Sequence, residues 1–144
     1  MRRKTTLNWS NFKVMKKPYL ILFEHIDNGE KGMFSVANVS KIPFNIKRLF
    51  WIFEGEDNRI AGEHAHRSSE QVLVALQGVI KISTENEKGE KEDFILDEKH
   101  KGLFIPSLCW NKIEFTNNAA LLRFSSMEYG PTDYIRDYKE FKKH

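Results

Sequence analysis

Two of the chain's five histidines share one tripeptide, His64-Ala65-His66. In an extended backbone side chains alternate with a period of two, so both imidazoles project from the same face. Imidazole titrates near neutrality and both accepts and donates protons, so a pair in one pocket forms an acid/base couple or a chelate. The plain alternative is two surface histidines where a loop joins a strand.

A carboxylate follows, and His64-x-His66-x3-Glu70 has the two-histidine, one-carboxylate composition of many non-haem metal sites on double-stranded β-helix (cupin) barrels. Such barrels usually add a third histidine from a later strand. The corresponding segment here runs from Gly102 to Asn111, and Asn111 stands where that histidine is expected. Asparagine is a poor ligand for iron, zinc or copper, so the two histidines read as free bases. Phe50-Trp51-Ile52-Phe53 and Trp110 offer flat faces for a base or sugar ring, although aromatic packing is the commoner use. Lys47, Arg48, Arg59 and Arg67 are cations that could clamp a diphosphate, each with a solvated charge as its ordinary reading. Arg123 interrupts Leu121-Leu122-Arg123-Phe124 and faces either a polar side or an anion in a lumen. Cys109 has no base beside it in sequence and reads as inert packing.

The elements that must position these groups are mostly strands. β-Branched and aromatic runs are expected at Tyr19–Ile26, Met33–Val39, Ile46–Glu54, Gln71–Ala75 and Val79–Thr84, then Asp93–Leu96, Leu103–Ile105, Ile113–Phe115 and Leu121–Ser125. Turn chemistry separates them, as at Asp27-Asn28-Gly29, Gln77-Gly78 and Asn117-Asn118. Several strands are apolar on both faces, which suits an all-β, closed or double-layered fold. Tyr134, Tyr138 and Phe141 fall at helical spacing, so one C-terminal helix is expected over Thr132–Lys143 with Thr132 as its N-cap.

With 144 residues, the chain has room for one core. Its net charge of +3 divides into +6 over residues 1–17 and −3 over the rest, so 1–17 reads as a basic, solvated extension and 18–144 as a single domain. A body of net negative charge has no phosphate-tracking stripe, and no nucleic-acid partner is expected. No apolar run exceeds the length of Tyr19–Phe23, far short of the roughly 20 residues a membrane-spanning helix needs, so no membrane partner is expected. The charged start is followed by no apolar h-region, and the lone cysteine fits a reducing cytoplasm.

Ordered blocks carry a resemblance. Ile42-Pro43-Phe44-Asn45-Ile46-Lys47-Arg48 running into Leu49–Phe53, Gly62-Glu63-His64-Ala65-His66-Arg67, Glu70–Val74 with Gly78, Gly102–Pro106 with Trp110, and Thr132-Asp133-Tyr134-Ile135-Arg136 resemble the nucleotide-sugar 3,4-ketoisomerases that act on dTDP-4-keto-6-deoxyglucose. The match runs from about residue 19 to the C-terminus. The resemblance implies a cupin-type jelly-roll barrel and a homodimer with swapped N-terminal strands, working with neither metal nor cofactor. It also implies a place in dTDP-3-amino-3,6-dideoxyhexose synthesis for a surface polysaccharide such as the O-antigen of lipopolysaccharide. It makes His64 the base at C3 and His66 the shuttle between the C3 and C4 oxygens. Lys31, Arg48, Trp51, Arg59, Gln71, Trp110 and Asn111 are the residues expected to hold the dTDP-linked substrate. The chain departs from its relatives at Ala61 (usually arginine), Phe50 and Trp51 (usually tyrosines), Asn111 (usually histidine) and Lys31-Gly32 (usually Arg-Gly). A metal-dependent cupin enzyme and a non-catalytic sugar-nucleotide-binding module remain the alternatives.

Overall fold

The structure, a computed structural model, describes residues 16–53, 60–116 and 118–144. Residues 1–15 of the basic extension, Arg59 and Asn117 lie outside them. The elements in chain order are β1 (Tyr19–Leu22), β2 (Glu24–Asp27), β3 (Met33–Val36), β4 (Arg48–Phe53), β5 (Ile60–His66), β6 (Gln71–Gln77) and β7 (Ile80–Glu85). They continue with β8 (Lys91–Leu96), β9 (Lys101–Ile105), β10 (Trp110–Phe115), β11 (Ala120–Ser125), β12 (Tyr134–Ile135) and the single helical turn α1 (Tyr138–Phe141).

Two antiparallel five-stranded sheets form, in the orders β1-β9-β6-β11-β4 and β12-β5-β10-β7-β8, and β2 and β3 make a separate hairpin. From β4 onward the chain changes sheet at every connection except the β7–β8 hairpin, which is the winding of a jelly roll. The lumen between the sheets is filled by Leu73, Ile82, Leu103, Ile113, Phe115 and Leu121, all fully buried. On the outer face of the first sheet a second layer, Ile21, Phe23, Val72, Val74 and Phe104, is covered by Ile42. Burial of apolar area on both faces explains why β6 reads as a continuous hydrophobic run.

Three expectations need correction. The strand expected over Tyr19–Ile26 is divided at Phe23, whose buried ring turns into the second layer while its N–H bonds the His100 carbonyl at 2.7 Å. β5, which carries the histidine pair, was absent from the expected strands because Gly62 breaks the β-propensity of its sequence. The helix expected over Thr132–Lys143 is one turn, Tyr138–Phe141, capped by Asp137, whose carboxylate accepts from the Lys139 N–H at 2.8 Å. Upstream, Pro131–Asp133 form a 3-10 turn and Tyr134–Ile135 are extended, pairing with His66 and Ala65. The sheet edge of β5 offers that stretch ladder hydrogen bonds that outweigh its helical spacing.

Candidate active site

Register decides which side chains share the lumen. On β5, His64 pairs with Asn111 of β10, and both point inward with His66. On the facing sheet Arg48 (β4), Ser125 (β11) and Gln71 (β6) pair across, and Arg123 pairs with Phe50 and Leu73 one step deeper. The two imidazoles lie edge to face with centroids 4.9 Å apart, and the Tyr134 ring closes the triangle at 5.2 Å from His64 and 4.7 Å from His66. The same-face geometry inferred from the two-residue period is therefore the observed one.

Gly62 makes this geometry available. Glu63 pairs with Lys112 and Ala61 with Ile113, so Gly62 is the extra residue of a β-bulge, with φ +68°. A Cβ there would sit 2.7 Å from His64 Cε1 and 3.0 Å from Nδ1, so the glycine provides both the left-handed backbone and the space for the ring.

Burial dominates the electrostatics. His64 is 5% and His66 3% exposed. Burial lowers the His64 pKa to about 3, helped by the nearness of His66, Arg123 and Arg136. Burial likewise lowers His66 to about 4, with Arg123 adding to the effect and Asp133 opposing it. Both rings are therefore neutral at pH 7. His66 Nδ1 lies 3.1 Å from Asp133 Oδ2, and that carboxylate also accepts from Ser69 Oγ (2.5 Å) and the Ser68 N–H (2.8 Å). Burial pushes the Asp133 pKa up, but the Ser69 and Ser68 donors and His66 outweigh it and hold the group below its ordinary value. Arg123 is 4% exposed, donates to Gln71 Oε1 at 2.8 Å, and burial lowers its pKa only to about 10, which leaves a cation facing the lumen.

The remaining polar groups point to what the lumen holds. Among the described residues, every buried side-chain nitrogen or oxygen without a protein partner belongs to Arg48, His64, His66, Gln71, Asn111 or Arg123. These six converge on one lumen. Buried donors and acceptors without partners are costly, about 1–3 kcal/mol each, so such a cluster marks a place for a polar ligand. At the mouth the Arg48 guanidinium lies over Phe50 (4.7 Å) and Tyr129 (5.6 Å), and that of Arg136 over Tyr134 (4.5 Å). Cations braced on aromatic faces suit phosphate oxygens.

Other expected site residues are elsewhere. Trp51 alternates out of the barrel with Leu49 and Phe53, while Arg48, Phe50 and Ile52 point inward. Trp110 faces outward from β10 and packs on Tyr138 (5.3 Å) and Phe141 (5.6 Å), holding α1 to the second sheet. Lys31 ends the exposed turn between β2 and β3. Arg59 lies outside the described residues. Arg48, Gln71 and Asn111 are brought to the histidines. The expected site lacked Arg123, Asp133, Ser69 and Tyr134; the charge within an apolar strand was the signal for Arg123, and the pairing of β12 with β5 supplies Asp133 and Tyr134. Glu70 is held by Lys16 at 2.9 Å, and among the described residues no three His, Cys, Asp or Glu side chains converge as a metal site. Burial raises the Cys109 pKa to about 12, which fits inert packing.

The family described as FdtA: WxcM-like, C-terminal, matches residues 16–144. The chain belongs to that family. This FdtA/WxcM-like protein is 32% identical over 126 residues, 87% of its length and 90% of the relative's, to TDP-4-oxo-6-deoxy-alpha-D-glucose-3,4-oxoisomerase of Aneurinibacillus thermoaerophilus. It is similar in structure to QdtA, a sugar 3,4-ketoisomerase from Thermoanaerobacterium thermosaccharolyticum solved in complex with TDP (TM-score 0.81, 31% identity, covering 90% of this chain and 95% of that one). It also resembles WlaRA, a TDP-fucose-3,4-ketoisomerase from Campylobacter jejuni (TM-score 0.80, 32% identity, 89% and 95% covered).

Proposed function

We propose that this protein is a metal-independent 3,4-ketoisomerase that moves the keto group of dTDP-4-keto-6-deoxyglucose from C4 to C3. The observation that carries the reading is the convergence in one lumen of two neutral histidines, a buried arginine and two amide atoms, Gln71 Nε2 and Asn111 Oδ1, that have no protein partner. The relatives' substrates agree with it. His64 takes the proton from C3 as the C3–H pair becomes the C3–C4 double bond of an enediol. His66 accepts the C3 hydroxyl proton at Nε2 and delivers it to the C4 oxygen. His64 then returns its proton to carbon at C4, so atoms balance with no outside oxidant or reductant. Arg123 supports the negative charge that develops on the sugar oxygens. Arg48 and Arg136 face the diphosphate, while Gln71 and Asn111 hydrogen-bond the sugar. NMR of the full chain incubated with dTDP-4-keto-6-deoxyglucose is expected to show the 3-keto isomer, trapped as the 3-amino sugar by a 3-aminotransferase. A folded protein that yields neither overturns the reading.

The finer setting follows from the same reading: a cytoplasmic step in dTDP-3-amino-3,6-dideoxyhexose synthesis, feeding O-antigen or a similar glycan. The working unit is a homodimer with swapped N-terminal strands. Supporting this, Trp51 and Phe53 on the outer face of β4 are 59% and 75% exposed, and the β2–β3 hairpin has no buried residue. In that dimer the hairpin presents Lys31 to the partner. Light scattering is expected to give twice the 17.0 kDa chain mass; a monomer at micromolar concentration counts against it.

A further inference from the structure

Asp133 is 67 residues from His66 in sequence, yet its carboxylate lies against the ring. Its backbone is fixed on both sides: its carbonyl accepts from the Arg67 N–H at 2.7 Å, and its N–H bonds the Gly130 carbonyl at 3.1 Å. Oδ1 accepts from Ser68, while Oδ2 accepts from the Ser69 hydroxyl and faces His66 Nδ1. An ionised carboxylate only accepts hydrogen bonds, so the proton between Oδ2 and Nδ1 resides on the ring. A neutral imidazole has one N–H, which leaves Nε2 as a bare lone pair. That atom is buried in the lumen and has no protein partner. His64 has no such anchor, since neither of its ring nitrogens is partnered.

We propose that Asp133, steadied by Ser68 and Ser69, is a positioning residue that locks His66 in the Nδ1–H tautomer and so dedicates Nε2 to proton transfer between substrate oxygens. The inference rests on the isomerase reading for its catalytic consequence. A shuttle must take a proton at one oxygen and release it at the next from the same atom, and a fixed tautomer ensures this. While Nε2 holds the proton the ring is an imidazolium, and the adjacent carboxylate stabilises it in that interval. An asparagine at 133 keeps the shape, but with its Oδ1 on the Ser68 N–H it turns its amide N–H₂ towards His66. Nδ1 must then accept, and the ring proton moves to Nε2, where it blocks the pickup.

Two-bond ¹⁵N–¹H spectra of the ligand-free full chain at pH 7 test the lock without substrate. Wild-type His66 is expected as the Nδ1–H tautomer and Asp133→Asn as the Nε2–H tautomer; Nε2–H in the wild type overturns the proposal. In kinetics, Asp133→Asn is expected to lower kcat about 10²–10⁴-fold with KM within about threefold. Ser69→Ala, which retains the carboxylate, keeps the tautomer and loses less than about tenfold. A folded Asp133→Asn protein with wild-type kcat overturns it as well. If the wild type does not convert the sugar nucleotide, the isomerase reading falls while the tautomer measurement still decides on Asp133.

Discussion

Arg123 adds to burial in keeping the bases of the lumen neutral. It lowers the pKa of both histidines, and nothing else on the inner face of β11 is charged. Replacing it with methionine therefore has two opposed signatures. Loss of the cation at the developing oxyanion is expected to lower kcat about 10²–10³-fold. Loss of its field lets both histidine pKa values rise, while burial still holds them below 6.5, so the acid limb of kcat/KM, which reports the free enzyme, moves to higher pH. Wild-type kcat/KM should hold down to about pH 5 and decline as His66, near 4, and then His64, near 3, become protonated. A pH-rate profile measures both; an unmoved limb in Arg123→Met means its field does not reach the bases. At this scale the histidine pair was legible because a period of two is the strongest pattern a strand has. Parity places Trp51 apart from the histidines: with Arg48 facing inward, alternation sends Trp51 to the outer face of β4.

At the scale of elements, β5 does the positioning and Gly62 is its weak point. Gly62→Ala demands a left-handed alanine and drives a methyl group into the His64 ring. Expected are a loss of about 1–3 kcal/mol in urea unfolding and a larger proportional loss of turnover, since His64 must rotate away. An alanine variant with full activity would show that the ring does not need its present seat. Leu121→Ala, deep in the barrel and far from the reacting groups in register, should cost about 2–5 kcal/mol with kcat spared below its melting point. The bulge also explains why β5 escaped the sequence pattern, since one extra residue resets the alternation. The C-terminal helix was overextended for a different reason. Tyr134, Tyr138 and Phe141 do have helical spacing, but they serve different surfaces: Tyr134 the histidines, Tyr138 and Phe141 the back of Trp110. Local periodicity cannot reveal an edge strand captured by a partner some seventy residues earlier.

For the whole molecule, the buried neutral histidines make stability depend on pH. Unfolded, each titrates near 6.5; folded, near 3 and 4, so the unfolded chain binds more protons throughout the interval between. Stability is therefore greatest above pH 6.5 and falls as pH drops towards 4, by up to about 1.4 kcal/mol per unit for each histidine. Chemical denaturation at pH 7 and pH 5 is expected to show that loss, and His64→Asn to reduce its slope by about half. A flat profile would mean the rings are not buried neutral. Composition and turn spacing revealed the all-β class because they are properties of single strands. Sheet order was beyond their reach, being a matter of which distant strands meet.

The winding between sheets has a kinetic side. Among the described barrel strands, β7 and β8 are the only consecutive pair that are hydrogen-bonded neighbours in one sheet; the contact that sets Asn111 beside the His64 carbonyl closes an interval of 47 residues. The search for such distant partners slows folding. Refolding protein should therefore acquire hairpin signals early and regain turnover last, because the reacting pair takes its final setting only when the longest loops have closed.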